Sequence, residues 1–169
     1  MTVHNVHKDP ETRTLTITAE FAAPVERVWQ LWADPRLLER WWGPPEYPAT
    51  FVEHELVPGG RVTYYMTGPD GDQPRGWWRV QAVDPPHCLE FEDGFADESG
   101  EPVADLPAST VRVTIEPHGR DRTRMTIAST FASLEAMEQI LAMGAAEGMT
   151  AALGQIDALL AEPAPHTGA

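Results

Sequence analysis

Between residues 49 and 131 the chain is written as six short runs of β-type sequence, 49–57, 61–67, 75–83, 88–93, 109–116 and 123–131. Four of the breaks are turn phrases: Pro58-Gly59-Gly60, Pro69-Asp70-Gly71-Asp72, Asp84-Pro85-Pro86 and Pro117-His118-Gly119. Runs joined this tightly pair as antiparallel neighbours, because a parallel pair needs a crossover of a dozen or more residues. A seventh run precedes them. In residues 13–21 Leu15, Ile17, Ala19 and Phe21 alternate with Thr14, Thr16, Thr18 and Glu20, the signature of a strand with one buried face. Helical stretches on either side of the six runs are the cover for that face, so the order predicts an α+β fold.

The first helical stretch opens at Pro24, whose missing N–H costs nothing at a helix start, and carries Val25, Val28, Trp29 and Trp32 at helical spacing. Asp34 is suited to cap a second short helix beginning at Pro35 and ending near Gly43-Pro44-Pro45. At the other end Ser133 caps a predicted single helix over 134–161. Its apolar positions Met137, Ile140, Leu141, Ile156, Leu159 and Leu160 flank a small-residue section, Gly144, Ala145, Gly148, Ala151 and Ala152. Glycine inside a helix costs about 1 kcal/mol relative to alanine, so that section serves either close approach of another backbone or open space beside the helix. The acidic stretch 94–108 reads as a solvated loop, and 162–169, with Pro163 and Pro165, as a disordered tail.

The 169 residues are the length of one ordinary domain. With 12 basic against 26 acidic residues the formal charge is −14, the wrong sign for nucleic acid and for stable contact with anionic lipid. Cys88 is the only cysteine, which excludes an intrachain disulfide and reads as a small buried hydrophobe. The opening M-T-V-H-N-V-H-K-D-P lacks the apolar run of a secretory signal and no segment is long and apolar enough to span a bilayer, so the expected location is the cytoplasm. The six histidines lack metal-ligand spacing, no Gly-rich phosphate loop precedes a helix, and no cofactor is implied.

All six tryptophans fall in two clusters, Trp29/Trp32/Trp41/Trp42 and Trp77/Trp78. Indoles so concentrated either fill a core or wall an apolar pocket. The phrase P-V-E-R-V-W-Q-L-W-A-D-P-R-L-L-E-R-W-W-G-P, with H-E-L-V-P-G-G at 54–60, M-T-G-P-D-G at 66–71, Trp77-Trp78 and E-F-E-D-G-F at 90–95, resembles the START-like (SRPBCC) superfamily. It is most similar to the branch of homologues of the activator of the 90-kDa heat-shock protein ATPase. The resemblance covers residues 12–161 and implies a helix-grip fold. In that fold a seven-stranded antiparallel sheet curls around a long C-terminal helix, with a hydrophobic cavity between them and two short helices at its mouth.

Of the polar candidates, His54 is in step with Val52 and Leu56 and is either a polar group in a pocket or a histidine satisfied at the sheet edge. Glu53/Glu55 and Glu90/Glu92 are same-face acid pairs, suited to proton transfer if buried and to plain solvation if not. Arg79 shares the Trp77 face and has a ligand carboxylate, a surface ion pair or Asp93 as candidate partners, while Trp78, in register with Val80 and Ala82, is expected inside.

The expected cavity lining is Trp29, Trp32, Trp41, Trp42, His54, Tyr64, Met66, Trp78, Phe91, Phe131, Met143, Gly144, Gly148 and Met149. The expected function is binding of a hydrophobic or amphipathic small molecule without covalent chemistry. The alternatives are a stress-related chaperone partner and a cyclase- or hydrolase-type enzyme using His54 or a cavity carboxylate. A homodimer is a further possibility raised by the sheet edges.

Overall fold

A computed structural model describes residues 3–103 and 108–161. The expected tail and part of the acidic loop lie outside the described residues. Eight strands are present among those described: β1 (Val3–Asp9), β2 (Thr14–Phe21), β3 (Ala49–His54), β4 (Arg61–Met66), β5 (Arg75–Asp84), β6 (Cys88–Ala96), β7 (Ser109–Pro117) and β8 (Thr123–Phe131). They form one antiparallel sheet in the order β1-β2-β8-β7-β6-β5-β4-β3. The helices are α1 (Val25–Ala33), α2 (Pro35–Leu38), α3 (Leu134–Ala142), α4 (Ala145–Leu153) and α5 (Ile156–Ala161).

The α+β class and the helix-grip arrangement are as expected, with two corrections. The strand count is eight, because Val3–Asp9 adds an edge strand along β2. Its residues 5–8 are solvent-exposed, so it is held by ladder hydrogen bonds and carries no apolar alternation of its own. Secondly, the C-terminal segment is three helices rather than one. Gly144 takes φ +85°, a left-handed conformation that stops α3, and Gly148 N–H donates to the Gly144 carbonyl at 2.8 Å to start α4 on a new axis. Near the second break, Gln155 Nε2 donates to the carbonyls of Gly43 at 2.7 Å and Trp41 at 3.3 Å, tying that junction to the turn after α2.

The expected caps are in place. Asp34 accepts from Arg36 N–H at 2.9 Å, and Ser133 accepts from Ala136 N–H at 3.0 Å. Period-two alternation delivers Leu15, Ile17, Ala19 and Phe21 of β2, Val111, Val113 and Ile115 of β7, and Met125 and Ile127 of β8 to one inner face, where all are buried. Over that face α1 lies against β7 and α3 against β8, while α2 sits beside β3.

A Cβ built at Gly144 or Gly148 meets nothing within 4 Å, so at these two positions it is open space that holds, whereas Ala152 of the same section is buried by close packing. The two glycines should therefore respond to alanine in opposite directions. Gly144→Ala forces a left-handed conformation on a residue with a Cβ and should lower stability by about 1–2 kcal/mol. Gly148→Ala improves a helix interior without a clash and should raise it by up to about 1 kcal/mol, both read from urea denaturation midpoints.

Candidate functional site

The first tryptophan cluster and its surroundings form a frame. Helix α1 must satisfy its last carbonyls, and it does so partly with aromatic side chains: Leu31 accepts from Trp41 Nε1 at 2.9 Å, and the Trp32 carbonyl lies 3.0 Å from His54 Nε2. A carbonyl only accepts, so Nε2 of His54 carries the hydrogen. A β-bulge at Val52 turns His54 away from the face of Val52, correcting the expected register; Val52 is 62% exposed while His54 sits edge-on to buried Phe51. His54 is thus a structural donor at a helix end.

The indoles pack against one another. Trp32 lies 4.8 Å from Trp41 and Trp42 4.9 Å from Trp78, both edge to face, and Trp78 stacks on Phe91 at 4.1 Å. Trp78 is inside, as expected, and Trp77 is on the outer face, its Nε1 donating to the Phe95 carbonyl at 3.0 Å. Glu53 and Glu55 are exposed, and Glu90 and Glu92 lie half-buried on the outer side of β6, so neither acid pair enters the interior. Cys88 shares that side and is half-buried rather than a core residue.

Beyond the frame, between the inner sheet face and α3–α4, is a cleft with two abutting lobes. One encloses about 160 Å³ among Leu15, Ile17, Tyr64, Asp93, Gly94, Phe95, Ser109, Ile127, Ser129, Phe131, Ile140 and Met149. The other, more open, holds about 260 Å³ among Trp42, Pro44, Tyr64, Met66, Asp93, Phe95, Ile140, Met143, Gly144, Gly148 and Met149. Eight of the expected lining residues therefore meet here: Trp42, Tyr64, Met66, Phe131, Met143, Gly144, Gly148 and Met149. Trp29, Trp32, Trp41, Trp78, Phe91 and His54 do not line either lobe; the first five are buried in the core.

Both lobes meet at Tyr64 and Asp93. Tyr64 faces Gly76 across the ladder, where an added Cβ would collide with its ring; glycine lets the ring lie flat over β5. Its hydroxyl is directed toward Asp93, which is paired with Trp78 on one side and Ser109 on the other. Burial in this apolar cleft raises the Asp93 carboxyl to about 7, against the opposing pull of the Tyr64 hydroxyl. Burial, followed by the nearby Asp93 charge, pushes the Tyr64 hydroxyl well above its ordinary value. The indole nitrogens of Trp42 and Trp78 are buried and have no acceptor at bonding geometry.

Asp93 is the residue that reading the sequence missed as a site residue. The sequence offers it as a partner for Arg79, but Arg79 is exposed on the opposite face. The signal was available: Asp93 is in phase with Leu89 and Phe91, an acid at an apolar position. Among the described residues no cluster suited to a metal ion occurs, and no helix is long and apolar enough to cross a membrane.

The raised Asp93 pKa predicts an inverse pH dependence of stability. Between its ordinary value near 3.8 and about 7 the folded chain holds a proton that the unfolded chain releases, so this group's contribution falls as pH rises through that window. Asp93→Asn removes the penalty. The variant should be more stable than wild type at pH 8, by an order of 1–3 kcal/mol, with the difference vanishing toward pH 4 in urea titrations.

The comparisons with known proteins agree with this fold. Residues 22–161 match the family model described as Activator of Hsp90 ATPase homolog 1-like protein. A crystal structure of a Mycobacterium smegmatis protein is 56% identical, with a TM-score of 0.88 over 96% of this chain and 99% of its own. A solution structure of an Arthrobacter aurescens protein is 53% identical, with a TM-score of 0.91 over 99% of each chain. One from Staphylococcus epidermidis is 26% identical, with a TM-score of 0.80 over 96% of this chain and 99% of that one. No functionally curated protein matches the chain. With the family model spanning residues 22–161 and the helix-grip architecture shared with these relatives, the chain belongs to the Activator of Hsp90 ATPase homolog 1-like family of the START-like superfamily.

Proposed function

We propose that the protein binds one small hydrophobic or amphipathic molecule in the cleft between the inner sheet face and α3–α4, and holds it without covalent chemistry. One observation carries this reading: an apolar cleft in an otherwise packed interior, converging on Tyr64 and Asp93, with Ser109 and Ser129 as its other polar side chains. Protein interiors are close-packed, and a mostly apolar concavity with few polar groups is the usual form of a small-molecule site. The proposed contacts are Trp42, Tyr64, Met66, Phe131, Met143, Gly144, Gly148 and Met149. Trp29, Trp32, Trp41, Trp78, Phe91 and His54 are assigned to the frame behind them. The open space beside Gly148 and the adaptable side chains of Met143 and Met149 suit a site that reshapes around its occupant.

A second reading is favoured by Asp93 itself. A carboxyl titrating near neutrality can give or take a proton, as an acid–base enzyme requires. If a molecule released from protein purified from its own host is chemically changed on incubation with wild type and not with Asp93→Asn, that reading holds; identical recovery from both removes it.

The binding reading is tested with N-phenyl-1-naphthylamine, an uncharged dye that brightens in apolar surroundings. Saturable binding of one dye per chain is expected. Gly148→Phe, which places a ring in the open space of the cleft, should abolish the signal while the far-ultraviolet circular dichroism stays that of wild type. Absence of dye binding, or full binding by a folded Gly148→Phe variant, overturns the proposal.

A further inference from the structure

Among the described residues the cleft is lined by a carboxyl and no cation. Its polar lining is Tyr64, Asp93, Ser109 and Ser129, and none of the residues around either lobe is basic. Of the elements packed about Asp93, β4 contributes Tyr64, β5 Trp78, β7 Ser109, and α3 and α4 present Ile140, Met143, Gly148 and Met149 to the cleft. Tyr64 is the only other titratable group among these. The one donor these elements aim at Asp93 is the neutral hydroxyl of Tyr64; the Trp78 indole N–H stays short of bonding geometry, and the side toward the open space offers the carboxylate nothing with a charge. Asp93 is half-buried at the edge of this apolar space, and acids withdrawn from water are ordinarily paired or neutralised, so its ionised form is best served by a cationic donor.

Two features of the surroundings act in the same direction. The wall beside Asp93 is aromatic, with Trp42, Tyr64 and Phe95, and aromatic rings attract cations. The chain's charge of −14 raises the local concentration of cationic solutes. A neutral alcohol gives Asp93 one hydrogen bond and leaves its charge uncompensated. A carboxylate ligand adds a second negative charge to the same desolvated space.

Granted the ligand-binding reading on which this rests, we infer that the cleft takes an organic amine, its ammonium donating to the Asp93 carboxylate and its apolar body lying along Leu15, Ile17, Ile127 and Phe131. Binding of this kind is linked to pH. The ammonium favours ionised Asp93, so affinity is highest above neutrality and weakens as pH falls through the region near 7 where the free carboxyl takes up its proton.

The test titrates octylamine, octan-1-ol and octanoate into the full chain by calorimetry at pH 8, with displacement of the naphthylamine dye as the measure of binding in the cleft. Octylamine is expected to bind about tenfold or more tighter than octan-1-ol, with octanoate weakest, since a charge-assisted hydrogen bond replaces a neutral one. Asp93→Asn should bring octylamine down to the affinity of the alcohol. In wild type the preference for octylamine should shrink between pH 8 and pH 5.5, a readout that needs no variant. Octan-1-ol matching octylamine in wild type, or a preference that survives in folded Asp93→Asn, overturns the amine assignment and leaves the binding reading standing. Dye displacement by none of the three overturns both.

Discussion

The packing around Trp32 is the contact on which the rest of the site depends. Its indole has no exposed surface and touches Trp41 and Trp42 from the turn after α2, Trp78 of β5 and Phe91 of β6, with centroids 4.8 to 6.2 Å away. Its own N–H donates to Met125 Sδ of β8 at 3.2 Å. One side chain on α1 thereby joins the turn after α2 to three strands of the sheet. Each indole buries roughly 150–250 Å², several kcal/mol at about 25 cal/mol per Å². Removing any one ring leaves a hole its rigid neighbours cannot close.

This concentration of volume has a geometric consequence. The large rings occupy the space over β4–β6 near α1, and Trp42 carries the packing to Tyr64 at 6.1 Å. Farther along the sheet the cover changes to α3 and α4, whose facing positions include Gly144 and Gly148, with no side chain to extend downward. The left-handed turn at Gly144 redirects the helix instead of letting it run straight. The cleft lies where bulky cover gives way to small cover, so its position follows from how side-chain volume is distributed along the sequence.

That distribution, together with strand periodicity, is what made the fold legible. The seven runs with turn punctuation or clean alternation became β2–β8, and Asp34 and Ser133 cap where their chemistry suggests. Features without a local pattern were not legible. The exposed residues of β1 show no buried phase, the bulge at Val52 leaves no composition mark, and a glycine in a helical pattern signals a cost without giving its φ. The same limits governed the site. Tryptophans predicted at a pocket wall were mostly spent on the core, because alternation tells which face a residue takes and not how far along that face the space opens.

Asp93 shows how the two levels can be read against each other. Leu89, Phe91 and Asp93 occupy one phase of β6, and every local preference at that phase is for an apolar side chain. An acid there works against the rule its strand otherwise obeys, and burial registers the conflict by holding the carboxyl near neutrality. Among the described residues no basic group lines the cleft to relieve it, although relief would take only one arginine or lysine on a facing position. Where the surrounding levels agree and one half-buried residue dissents with only a neutral hydroxyl beside it, the conflict marks a position whose residue is not explained by packing. In this chain that residue stands where both lobes of the cleft meet, so a group that burial disfavours is also well placed to choose what binds.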